Sequence, residues 1–117
     1  MKIVLLERNS LGQDIDVSCY EILGVVKMYP VSDVNNTPER IQAADIIIVN
    51  KVPMNEKTLK DANSVKLICV TATGVDNIDF TYTNQRGIVV TNVKDYCTAA
   101  VAQHTFAMAF YLIEHLR

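Results

Sequence analysis

Five short apolar runs recur along the chain: Lys2 to Leu6, Val25 to Tyr29, Asp45 to Val49, Val65 to Val70 and Gly87 to Thr91, each rich in Val and Ile. They are apolar at consecutive positions rather than at every second one, which suits strands covered on both faces, as in a parallel sheet. Segments with helix signals separate them. Asp16 to Leu23 is closed by Gly24, and Thr37-Pro38-Glu39-Arg40 offers a Thr cap before a Pro at the first helical position. Asn55 to Ala62 reads as a third helix, Asn77 or Asp79 can cap a fourth across Phe80 to Arg86 before Gly87, and Thr98 caps the last. Such alternation requires crossover connections. It predicts an α/β fold with a doubly wound, mostly parallel sheet of flavodoxin-like or Rossmann-like type, ending in a long C-terminal helix.

A chain of 117 residues, 50% hydrophobic and 21% charged with net charge −2, suits one globular domain with a single core. Lys and Arg are scattered among acids with no basic stripe, which argues against nucleic acid as a partner. Cys19, Cys69 and Cys97 are odd in number and show no C-x-x-C spacing, which predicts free thiols in a reducing compartment and so a cytoplasmic location. Met1-Lys2 leads straight into the first apolar run, too short for a membrane span or a signal peptide and better read as a buried strand.

In open sheets of this kind, ligands collect beyond the carboxyl ends of the strands. That edge should hold Glu7 to Asn9, Asn50 to Pro53, Thr71 to Gly74 and Asn92 to Tyr96. Only Gly12, Gly24, Gly74 and Gly87 occur, so neither G-x-G-x-x-G nor a Walker A loop can be written anywhere in the chain. Thr71-Ala-Thr-Gly-Val-Asp-Asn77 reads as a cradle whose amides near Gly74 and Val75 can meet a carboxylate or phosphate, or equally as an ordinary strand-to-helix turn. Lys51 ends the third run on the same edge; its ammonium either adds attraction for an anion or is a solvated surface charge.

His104 sits between Gln103 and Thr105 with no sequence-local carboxylate to orient it as a general base. His115 would lie about 16 Å further along one helix, so the two make no metal site. Residues 98–117 would form a helix of roughly 30 Å. From Phe106 to Ile113 its residues are all apolar, leaving no polar face for water, and a neighbouring domain or subunit is expected to cover it. A membrane is the poorer candidate for the cover, because Gln103, His104, Glu114 and His115 leave far fewer than the roughly twenty apolar residues a span requires.

Three blocks, Ala72-Thr-Gly-Val-Asp-Asn-Ile-Asp79, Arg86-Gly-Ile-Val-Val-Thr-Asn-Val93 and Thr98-Ala-Ala-Val-Ala-Gln-His-Thr-Phe-Ala107, agree in order and spacing with one family. The chain resembles the D-isomer-specific 2-hydroxyacid dehydrogenases, the lactate, glycerate, phosphoglycerate and formate dehydrogenases among them. The resemblance implies a flavodoxin-like substrate-binding domain over residues 1–97. Residues 98–117 would be the first helix of an NAD-binding domain whose core follows Arg117, and a homodimer interface. It further implies that Gly74 and Val75 receive the carboxylate of a small 2-hydroxy or 2-oxo acid, that Lys51 and Val52 line the same cleft, and that Thr73 and Val101 approach NAD. The catalytic His, Glu and Arg of the family would lie beyond this chain, leaving it inactive by itself, and His104 is not that histidine.

A different class is a non-catalytic small-anion-binding or interaction module of the same fold. A phosphoacceptor receiver is disfavoured, since Glu7 stands alone after the first run and Asn50-Lys51 ends the third. Flavodoxin itself is disfavoured by Arg8-Asn-Ser-Leu-Gly12, where it would carry its phosphate loop.

Overall fold

The computed structural model describes residues 1–115. Five parallel strands, β1 (Lys2–Leu5), β2 (Val25–Met28), β3 (Ile46–Val49), β4 (Leu67–Val70) and β5 (Val89–Asn92), form one sheet in the order β2-β1-β3-β4-β5. This is the flavodoxin-like order, with its direction reversing between β1 and β3. Four α-helices follow the strands in chain order: α1 (Thr37–Ile41), α2 (Glu56–Leu59), α3 (Phe80–Gln85) and α4 (Thr98–Ile113).

Alternate residues of each strand serve opposite faces. Val4, Ile47, Val49, Ile68 and Val70 join the larger core cluster with Ile41 of α1 and Leu59 of α2, and Tyr82 of α3 packs against it. Ile3, Leu5 and Ile48 form a smaller cluster on the other face, covered by Leu11 and Tyr20 from the β1–β2 connection. The two faces therefore carry unequal cover. Both edge strands are only partly buried, and Val25 and Val89 stand exposed.

The β1–β2 connection departs from the helix expected over Asp16 to Leu23. It forms two short 3-10 segments, Arg8–Ser10 and Ser18–Ile22. The Asp16 carboxylate accepts both the Ser18 N–H, at 2.8 Å, and the Ser18 hydroxyl, at 3.0 Å, a local arrangement that competes with helical hydrogen bonding. Gly24 then passes so close to Met1 that a Cβ would lie 2.2 Å from the Met1 carbonyl oxygen, and Val25 N–H donates to that oxygen at 2.9 Å.

Two expected caps shift by one residue. Asn36, not Thr37, occupies the cap position of α1, because Thr37 N–H and hydroxyl both bond back to the Asp33 carbonyl, at 3.1 and 2.6 Å. Cys97, not Thr98, caps α4, because the first helical bond runs from Val101 N–H to the Cys97 carbonyl. At α3 the choice falls on Asp79, whose side chain accepts the Tyr82 N–H at 2.9 Å. Asn55 and Thr58 form a reciprocal capping box on α2. The helix expected over 98–117 runs to Ile113, and its last two positions lie outside the described residues.

No residue of α4 joins either core cluster, and every side chain along it except that of Ala109 is exposed. The helix projects from the body and stretches the molecule to 56 × 32 × 25 Å. Among the described residues, no helix is long and apolar enough to cross a membrane.

Candidate functional site

The carboxyl ends of β1, β3, β4 and β5 bring together Glu7, Asn50 to Val52, Thr71 to Asn77 and Asn92. Beyond β4 the ladder continues for one residue, with Thr71 N–H donating to the Val49 carbonyl at 2.8 Å. On the other side Val93 N–H reaches the Ala72 carbonyl at 3.2 Å. The chain then leaves the sheet under constraint. Asn92 Nδ2 donates to the Thr73 carbonyl at 2.7 Å, and Asn77 Nδ2 donates to the Val52 carbonyl at 3.0 Å. Met54 N–H bonds the Asn77 carbonyl and Asp79 N–H bonds the Met54 carbonyl, forming a short parallel bridge between the two loops.

Thr73 to Asp76 is thus a bow held at both ends. Among the described residues, none of the backbone N–H groups from Ala72 to Asn77, those of Gly74 and Val75 included, has an acceptor. A Cβ placed on Gly74 would meet nothing nearer than Asp76 Oδ2, at 3.6 Å, so the side of the turn on which a Gly74 side chain would stand is open. Unpaired backbone donors facing open space at the end of a parallel strand are suited to an anionic group. Charge at this edge is mixed, with exposed Lys51 and exposed Asp76 both present.

The structure groups Lys51, Val52, Thr73, Gly74 and Val75 on one edge. The Val52 side chain is buried in the larger core cluster, so this residue faces the site with its backbone only. Val101 lies apart from them on α4 and is 59% exposed. His104 and His115 are exposed on or just after the same helix. All three cysteines are free thiols.

Glu7 has a role that sequence reasoning missed. One oxygen of its carboxylate, Oε2, accepts the N–H groups of Asn50, Lys51 and Val52 at 2.7, 2.8 and 3.3 Å. The available signal was its position, an acid directly after the buried run Ile3 to Leu6 on an interior strand of a parallel sheet. Two carboxyls outside the Thr71–Asn77 loop are held below their usual range. Asp33 is lowered by the N–H groups of Asn35 and Asn36, and Asp16 by Ser18.

A groove of about 480 Å³ lies elsewhere. It runs over β1 and β2 beside α1, lined by Lys2, Lys27, Tyr29, Glu39 and Arg40 among others, and includes none of the cradle residues. Arg40 fills part of that region, stacked 4.2 Å above the Tyr29 ring and donating to the Val31 carbonyl and Ser32 hydroxyl.

Residues 5–112 match the family described as D-isomer specific 2-hydroxyacid dehydrogenase, catalytic domain. Glycerate dehydrogenase of Methylorubrum extorquens is 37% identical over 112 residues, covering 95% of this chain and 35% of that protein. Hydroxypyruvate reductase of Blautia hydrogenotrophica is 32% identical over 120 residues, covering 99% of this chain and 37% of that protein. Among solved structures, NAD+-bound 3-phosphoglycerate dehydrogenase of Entamoeba histolytica superposes with a TM-score of 0.81 at 30% identity, over 95% of this chain and 38% of that one. D-lactate dehydrogenase of Aquifex aeolicus, complexed with NAD and lactic acid, gives a TM-score of 0.80 at 30% identity, over 99% of this chain and 34% of that one. The chain therefore spans little more than a third of the length of these relatives. With the family matched over residues 5–112 and relatives more than 30% identical across nearly all of the sequence, the chain belongs to the D-isomer-specific 2-hydroxyacid dehydrogenases.

Proposed function

We propose that this chain is the substrate-binding portion of an NAD-dependent oxidoreductase that moves a hydride between NAD(H) and a D-2-hydroxy acid or its 2-oxo acid. The observation that carries this reading is the run of unpaired amides that includes Gly74 and Val75, in a bow tied down at Thr73 and Asn77. The substrate carboxylate rests on these two N–H groups, and Lys51 adds a positive charge from the adjoining loop. Relatives of glycerate, lactate and phosphoglycerate type support a small acid of this class.

No residue run here provides the glycine-rich turn that a dinucleotide pyrophosphate requires, so the main NAD site belongs to a further domain. Thr73 at the edge and Val101 on α4 are the positions assigned to approach the nicotinamide side. Residues 1–97 form the substrate-binding body, and the segment from 98 onward belongs with the cofactor domain and with a homodimer contact. The protein acts in the cytoplasm. By itself the chain positions an acid and catalyses nothing, because the acid/base His, its Glu and the polarising Arg are supplied from outside it.

The test is a titration of the isotopically labelled chain with hydroxypyruvate, pyruvate and glycerate, followed through backbone amide resonances. Shifts centred on Gly74 and Val75 are expected. Saturable shifts centred elsewhere, or NADH oxidation by this chain without a cofactor domain, would overturn the reading.

A further inference from the structure

The strand order reverses between β1 and β3, and in open parallel sheets the crevice at that reversal is where ligands gather. Here the crevice is filled from within. Glu7 follows directly on β1, where Leu6 N–H still pairs with the Ile48 carbonyl at 3.0 Å, and its side chain reaches across to the first residues after β3. Three successive N–H groups, those of Asn50, Lys51 and Val52, converge on the single oxygen Oε2. Successive amides of an extended chain point in alternate directions, so such convergence means that the loop is curled into a nest around an anion. The anion is the protein's own carboxylate, and hydrogen bonds to an ionised acceptor are among the stronger ones available.

The nest is coupled to the cradle. Val52 donates to Glu7 with its N–H and accepts from Asn77 Nδ2 with its carbonyl, and the Asn77 carbonyl in turn accepts from Met54 N–H. Between these anchors the buried Val52 side chain locks the loop to the core, while neighbouring Lys51 remains exposed.

We propose that Glu7 is a positioning residue for substrate recognition: its carboxylate acts as a resident anion in the Asn50–Val52 nest, fixing the loop that carries Lys51. By occupying those amides it also leaves the acid's carboxylate to Gly74 and Val75. The inference rests on the substrate-binding reading above. In the absence of Glu7 the three donors would seek another anion, and a small carboxylate from solution would fit the vacated place.

The experiment compares Glu7→Ala, Glu7→Gln and the parent sequence in the full-length dehydrogenase, with and without formate, and follows the Asn50 and Lys51 amide resonances in parallel. Glu7→Ala is expected to raise KM for the 2-oxo acid by about tenfold or more, a larger effect than on kcat. Formate should lower that KM again, whereas in the parent it acts only as a competitor. Glu7→Gln, which keeps the shape and an acceptor oxygen, should fall between the two. The Asn50 and Lys51 amide resonances should move in Glu7→Ala and return on formate addition.

An unchanged KM in both variants would overturn the proposal. So would a raised KM in Glu7→Gln and Glu7→Ala alike that formate leaves untouched, since that is the behaviour of a purely structural residue. If the Asn50 and Lys51 resonances respond to formate while the Gly74 and Val75 amides never respond to substrate, the cradle reading fails and the nest assignment stands.

Discussion

Gly74 is a glycine for reasons that the backbone does not supply. Only Gly24 and Gly87 among the glycines have positive φ, and the space where a Gly74 side chain would stand is free of close neighbours. Gly74→Ala is therefore expected to leave the fold intact, or to stabilise it by about 0.4–1 kcal/mol through a less flexible unfolded chain. The added methyl would crowd an acid seated at this turn, and KM for the acid should rise by about tenfold in the full-length enzyme. Thermal melting alongside steady-state kinetics separates the two effects, and a fall in melting temperature with unchanged KM would place the glycine's role in folding. The turn from Thr71 to Asn77 was legible in the sequence because it lies within one short motif, whereas the bonds that hold it, from Asn92 and to Val52, come from 19 and 25 positions away. The Glu7 nest was not, because its donors lie 43 to 45 positions away and converge only once β1 and β3 are paired.

Elements that carry their own end signals were also legible. Asn55, Asp79 and Gly87 delimit α2 and α3 by bonding or bending their own backbone, and a motif of a few residues contains all the information needed. The Asp16 segment misleads for the same local reason, since an Asp two residues before a Ser can close a turn instead of opening a helix. What no local pattern reveals is how helices are tied to one another. Arg86, just after α3, donates from Nη1 to the Leu59 carbonyl and from Nη2 to the Ala62 carbonyl, both at 3.1 Å, and from Nη1 to the Tyr82 hydroxyl at 3.0 Å. It thereby ties α3 to the turn after α2, adding charge-assisted bonds to carbonyls that also accept the Ala62 and Val65 N–H groups. Arg86→Ala should cost about 1–3 kcal/mol, read as a lower urea midpoint. Arg86→Lys should recover only part of this, because one ammonium cannot reproduce the fork between two carbonyls.

At the scale of the molecule, the body and α4 obey different rules. The body buries Ile3, Leu5, Leu6, Ile47 and Ile68 almost completely, each worth about 1.5–3 kcal/mol in removal from water. Helix α4 instead exposes Phe106, Met108, Phe110, Tyr111, Leu112 and Ile113, all more than half open, with the Phe106 and Phe110 rings stacked 6.5 Å apart on one side. Apolar surface on this scale marks an association face. Light scattering should find the chain self-associated, and Phe106→Glu with Phe110→Glu should return it to a monomer; a monomer at high concentration in the parent would refute the contact.

The independence of α4 from the body has a further consequence. A sixteen-residue helix that joins neither core cluster is only marginally stable in water, because the cost of starting a helix is barely recovered over so short a length. Its amides should then exchange with deuterium far faster than those of β1, β3 and β4, and slow down as protein concentration rises. The exchange rate of one segment would thus record the assembly state of the whole protein, a reporter that needs no label and leaves the cradle undisturbed.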